Sequence, residues 1–135
     1  MPTATVQYLG NLRTSAVHSE SQVKIITDAP KDNNGNGESF SPTDLTAVSL
    51  ASCMLTLMGI TARKKGIDFN EASATVLKNM AEAPRRIDAL DVEIQIKDEN
   101  FSDKQRAILE NAARSCPVAK SLHPDIAQRV SFKYL

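Results

Sequence analysis

Ser41-Pro-Thr-Asp-Leu-Thr-Ala-Val-Ser-Leu-Ala-Ser-Cys-Met-Leu-Thr-Leu-Met-Gly-Ile-Thr-Ala-Arg-Lys-Lys65 is the stretch on which the reading of the whole chain turns. Ser41 suits the cap of a helix, Pro42 its first position, and Asp44 puts negative charge into the first turn, where free N–H groups point outward. Arg63, Lys64 and Lys65 supply the complementary charge at the far end, and Gly66 can take the left-handed conformation that ends a helix. These signals predict one long helix with Cys53 near its middle.

From Leu45 to Ala62 that helix carries no charge. It is therefore expected to be covered on nearly every side. A membrane span is the rival reading, since a span needs about 20 predominantly apolar residues. Thr46, Ser49, Ser52, Thr56, Gly59 and Thr61 dilute the hydrophobicity, and the flanking segments look like strands of a water-soluble domain. A buried central helix is the better expectation.

Working outward, Thr3–Leu9 is rich in β-branched and aromatic residues, and Gly10-Asn11 turns it into Leu12–His18. Gln22–Thr27 adds a third strand after a turn at Ser19-Glu20-Ser21, which makes an antiparallel meander. Asp28–Phe40, with its Pro, Asn and Gly residues, has the composition of a long loop, either functional or a simple crossover. Beyond Gly66, Ala72–Ala81 is ambiguous alone. Leu90, Val92, Ile94 and Ile96 alternate with Asp91, Glu93 and Gln95 as a half-buried strand, so the two segments pair as a hairpin turning near Ala83-Pro84. Ser102-Asp-Lys-Gln105 matches a capping box that opens a helix, Pro117 opens a shorter one, and Arg129–Leu135 alternates as a last strand. The predicted order is βββ-α-ββ-αα-β, an α+β fold of mostly antiparallel sheet in a single domain spanning residues 1–135.

Composition narrows the function. Sixteen basic and sixteen acidic residues balance, no Trp is present, and 4% aromatic content supplies few stacking surfaces. Nucleic acid and anionic membrane surfaces are not expected partners. The segment Met1–Gln7 has neither a basic nor an apolar leader region, so a cytoplasmic location is expected, with both cysteines held as thiols.

Those cysteines, Cys53 and Cys116, lie 63 positions apart and form no Cys-x-x-Cys motif. Composition makes Cys53 a core thiol, since burial suppresses the thiolate. Cys116 looks better activated, because it precedes Pro117 at a helix start. His18 and His123 sit in turn-like sequence, so neither a metal nor another cofactor is expected. Arg13, at the start of the second strand, would supply a permanent positive charge to a buried thiol if the fold brought it there.

Taken together, Ser41-Pro-Thr-Asp-Leu, Ala51-Ser-Cys-Met and Cys116-Pro-Val resemble the OsmC/Ohr family of organic hydroperoxide reductases. The resemblance runs over essentially the whole chain. It implies an OsmC-like fold around the long central helix and an intertwined homodimer with active sites at the subunit interface. It also implies a thiol peroxidase in which Cys53 attacks an organic hydroperoxide and becomes a sulfenic acid. Cys116 then closes a disulfide that an external dithiol reduces.

In that assignment Arg13 activates Cys53, and Leu50 and Leu57 form part of a wall favouring alkyl hydroperoxides. The family typically carries a glutamate after the helix-starting proline, where this chain has Thr43. Asp44 lies nine positions from Cys53, which at about 100° per residue is the opposite helix face. Glu38, in the preceding loop, is the expected substitute. The alternative is a non-catalytic OsmC-like module that binds a small apolar or thiol ligand.

Overall fold

The structure, a computed structural model, describes residues 1–135. Two compact units make up the chain, Met1–Leu45 and Thr46–Leu135.

The first unit is an antiparallel meander of β1 (Ala4–Gly10), β2 (Arg13–His18) and β3 (Lys24–Asp28), in that order. Asn11 and Leu12 adopt positive φ and make a tight first turn. The second turn is longer than the sequence suggests. His18 N–H reaches Val23 C=O at 2.9 Å, with Gln22 left-handed, so the third strand starts at Lys24.

A short 3-10 turn, Lys31–Asn33, interrupts the loop that the composition left irregular. The N–H groups of Asn33 and Gly35 both donate to Pro30 C=O, and Gly37 N–H donates to Ala29 C=O. Gly35 is needed there, because a Cβ would fall 1.8 Å from the Ala29 carbonyl oxygen. These bonds fold the loop back on its own start, so Glu38 returns beside Asp28.

The long helix is observed as α1 (Pro42–Lys65). Ser41 Oγ accepts the Asp44 N–H at 3.0 Å, and the Asp44 carboxylate accepts the Ser41 N–H at 2.9 Å, a reciprocal cap. At the other end Gly66 has φ +66°, and Ile67 N–H bonds back to Ala62 C=O. That is the glycine-terminated closure the sequence predicts.

Within one chain α1 is covered along a single face. Ala47, Leu50, Ala51, Met54, Met58 and Ala62 form one buried stripe, whereas Ser52, Thr56 and Ile60 are exposed. Hydroxyls within the uncharged run bond to the helix itself: Ser49 Oγ donates to Thr46 C=O, and Thr56 Oγ1 to Ser52 C=O. By length and composition α1 meets the requirement for a membrane span, with a mean hydropathy of 1.8 in its apolar window. Its buried stripe belongs to the apolar cluster of the second unit.

In that unit, β4 (Ala72–Glu82) and β5 (Arg85–Ile96) form the expected hairpin, with Glu82 opposite Arg85 around Ala83-Pro84. The Ser102 capping box opens α2 (Asp103–Arg114), and Pro117 opens α3 (Pro117–Ser121). The last strand, β6 (Ala127–Tyr134), pairs parallel to β5, so this sheet is mixed rather than antiparallel. The helical crossover explains the direction: a parallel neighbour needs a connection of a dozen or more residues, and α2 and α3 provide it. Leu90, Val92, Ile94 and Ile96 of β5 join Leu109 and Ala113 of α2 and the α1 stripe in one core. The observed order of strands and helices is the predicted βββ-α-ββ-αα-β, carried by two three-stranded sheets.

Candidate active site

Cys53 sits in the middle of α1, between Leu50 and Leu57 on the turns either side. It is half-buried and touches the core cluster. Leu50 is fully buried in that cluster, which removes it from the expected substrate wall, while Leu57 is only partly buried. The chain had to place Leu50 inward, because it lies on the stripe with Met54 and Met58 that α1 turns to the core.

Cys116 is fully buried and caps α3, accepting the Ala119 N–H at 3.3 Å. Both cysteines are free thiols, and their side chains lie within interaction range of each other. Burial pushes the Cys116 thiol up from its ordinary value, against the pull of the α3 N–H groups, and the neighbouring Cys53 pushes it further. The activation expected from the helix start is therefore overturned. Five residues of α3 make a weak dipole, and desolvation outweighs it. Cys116 is held as a protonated thiol beside Cys53.

A second cluster lies within the meander. Arg13 Nε donates to Asp28 Oδ1 at 2.7 Å and Nη2 to Oδ2 at 3.0 Å, a two-pronged pair across β2 and β3. Nη2 also reaches Glu38 Oε2 at 3.2 Å. The Asp28 side chain is 2% exposed, against 66% for Glu38. Hydrogen bonds from Arg13 hold the Asp28 carboxyl below the usual carboxylate range, outweighing the opposing effect of burial. The same bonds raise Arg13 further, so the guanidinium is charged at every accessible pH.

Thus Cys53 and Cys116 come together in the second unit, and Arg13 and Glu38 come together in the first. Asp28 was missed. The available signal was strand register: Arg13 faces Asp28 directly, but a turn one residue shorter would have put Thr27 there.

The histidines remain local. His18 bonds to Ser21 in its turn, and His123 Nδ1 accepts the Asp125 N–H. No group of three or more His, Cys, Asp or Glu side chains is placed to hold a metal. A cavity of about 510 Å³ runs along the turns of α1 after Cys53, lined by Thr56, Ile60, Arg63, Ile67 and Phe69, and contains neither cysteine.

A single α+β chain with a cysteine at the centre of its longest helix and a second, buried cysteine beside it defines a narrow class. The model of the OsmC-like protein family matches residues 35–130, and this chain belongs to that family. Among solved structures, a proposed osmotic-stress-induced and detoxification response protein from Psychrobacter arcticus is 54% identical, covers 98% of this chain and 96% of its own, and superposes with a TM-score of 0.92.

More distant structures share the fold. An organic hydroperoxide resistance protein OsmC from Legionella pneumophila is 17% identical with a TM-score of 0.77, covering 98% of each chain. A proposed organic hydroperoxide resistance protein from Vibrio cholerae, with captopril in one of its active sites, is 20% identical with a TM-score of 0.73, covering 100% of this chain and 94% of its own. Among curated proteins no match is found.

Proposed function

We propose that the protein is a thiol-dependent peroxidase that reduces organic hydroperoxides. The observation that carries this reading is the placement of two free thiols, one half-buried and one fully buried, within interaction range of each other. Family membership and the neighbours named for organic hydroperoxide resistance support the substrate class.

In this mechanism the Cys53 thiolate attacks one peroxide oxygen, the O–O bond breaks, and the alkoxide leaves as an alcohol after taking a proton. Cys53 is then a sulfenic acid. The Cys116 thiol condenses with it, forming the S–S bond and releasing water. An external dithiol reduces that disulfide by exchange and is itself oxidised to a disulfide. A thiol held protonated, as Cys116 is, suits the second step rather than the first. Arg13 is the cation assigned to activate Cys53, and Glu38 is one of the acids that contact it.

The reaction is proposed to take place in a cytoplasmic homodimer. Val6, Tyr8 and Ile25 are 63%, 66% and 46% exposed, and all three lie on one face of the meander, with Ala16 paired to both Val6 and Ile25. An exposed apolar face of that kind is what a second copy would bury. Sedimentation should give the mass of two chains.

The test of the chemistry is a thiol count. Reduced protein mixed with cumene hydroperoxide should lose both thiols, Cys53→Ser should lose none, and Cys116→Ser should leave a sulfenic acid that dimedone traps. Equal thiol loss in wild type and Cys53→Ser would refute the assignment. The rival reading, a binding module without chemistry, is motivated by Thr43 in place of the glutamate, and it predicts no thiol loss in the wild type.

A further inference from the structure

The residue after the helix-starting proline is Thr43, where the resemblance led to the expectation of a glutamate. The Asp44 carboxylate accepts the Ser41 N–H in the cap of α1. We infer that Asp28 is the positioning residue for Arg13, with Glu38 as its second and adjustable contact, so that the end of β3 and the loop after it supply the missing acid.

Three observations converge on Asp28. It faces Arg13 in register across β2 and β3 and takes two of its nitrogens, which fixes both the position and the plane of the guanidinium. It is itself immobilised: Oδ2 also accepts the Glu38 N–H at 3.0 Å, and its own N–H donates to Phe40 C=O at 3.0 Å. Its side chain is buried where that of Glu38 is exposed, so the Asp28 pairing is shielded from solvent and the Glu38 pairing is not. Because the Glu38 N–H rests on the same carboxylate, Asp28 also sets where Glu38 leaves the loop. Neither carboxylate engages Nη1, so one edge of the guanidinium stays available while the other is clamped.

The consequence for Cys53 rests on the proposed peroxidase reading, but the placement can be tested without a peroxide. The measurement is the rate at which iodoacetamide alkylates Cys53 at pH 7 in wild type, Asp28→Asn, Arg13→Gln and the double variant. Asp28→Asn should slow alkylation about tenfold, because a cation moved off the thiol no longer favours the reactive thiolate. In the Arg13→Gln background it should slow it no further, because Asp28 acts through Arg13. Equal slowing in both backgrounds, or no slowing in either, would overturn the inference.

Nuclear magnetic resonance of the wild type gives a readout that survives a failure of Asp28→Asn to fold. The Arg13 Nε–H should be protected from solvent exchange at pH 7 and lose that protection when Asp28 is protonated in acid. An Nε–H that exchanges like free arginine would also overturn the inference. If the wild type leaves cumene hydroperoxide untouched, the peroxidase reading fails, while alkylation and exchange still judge Asp28.

Discussion

The two units of this chain are held together by different physics. Residues 46–135 bury a contiguous apolar cluster in which Leu50, Met58, Leu90, Ile94 and Leu109 are fully inaccessible. Residues 1–45 bury no large apolar side chain. Their buried residues, Ser15, Thr27, Asp28 and Ser41, are polar, and Thr14 Oγ1 bonds to Thr27 Oγ1 across the strands. The first unit is therefore organised by strand pairing, the Arg13–Asp28 pair and a hydrogen-bonded loop, and its apolar side chains remain on the outside. The surroundings differ accordingly: an apolar one keeps Cys116 protonated, and a polar one keeps Arg13 charged and fixed against Asp28.

Breaking the apolar side of the comparison should have the largest effect. Leu90→Ala empties a fully buried position at the centre of the cluster and should cost about 2–5 kcal/mol in urea unfolding. A cost below 1 kcal/mol would mean that the second unit does not depend on this core.

Acid should act on the polar side. The Asp28 carboxyl titrates below its unfolded value, so the stability it contributes is complete above about pH 4 and falls away as the pH drops through the folded value. Thermal melts from pH 7 to 3 should therefore show a steeper loss in wild type than in Asp28→Asn, which has no proton to take up at that position. Parallel profiles would detach Asp28 from the acid response. Asp91, lowered by its bonds from Arg129 and Asn79, contributes in the same direction from the second unit and is unchanged by that variant.

The smallest effect sharpens the contrast through two helix caps. Ser102→Ala removes an exposed capping box and should cost about 1 kcal/mol. Ser41→Ala removes one whose serine is buried and should cost more, because Ser41 is shut off from water where Ser102 is exposed. Paired chemical denaturation curves measure the difference, and equal costs would deny any added weight to the buried cap.

How much of this was legible from residues alone varied by element. The ends of α1 were clear, because Ser41, Pro42, Asp44 and Gly66 act on the backbone within one turn of themselves. The same holds for the Ser102 box and for the β5 alternation. The direction of β6 was not legible: its alternation fits a parallel or an antiparallel neighbour equally well, and pairing is settled by what packs across the crossover. The charge state of Cys116 was misread for a related reason. A helix start is visible in sequence, whereas complete desolvation depends on neighbours from other elements, Cys53 among them.

By itself the sequence determined where the helices begin and end, which faces of β5 are apolar, and that one cysteine lies mid-helix while the other starts a helix. Each follows from interactions that span only a few residues. Only the tertiary structure brought the two thiols together, put Leu50 into the core rather than into an open substrate wall, and gave Arg13 its buried acid. Those outcomes depend on register and burial. One extra residue in the turn after His18 exchanges Thr27 for Asp28 opposite Arg13, and no local propensity records that choice.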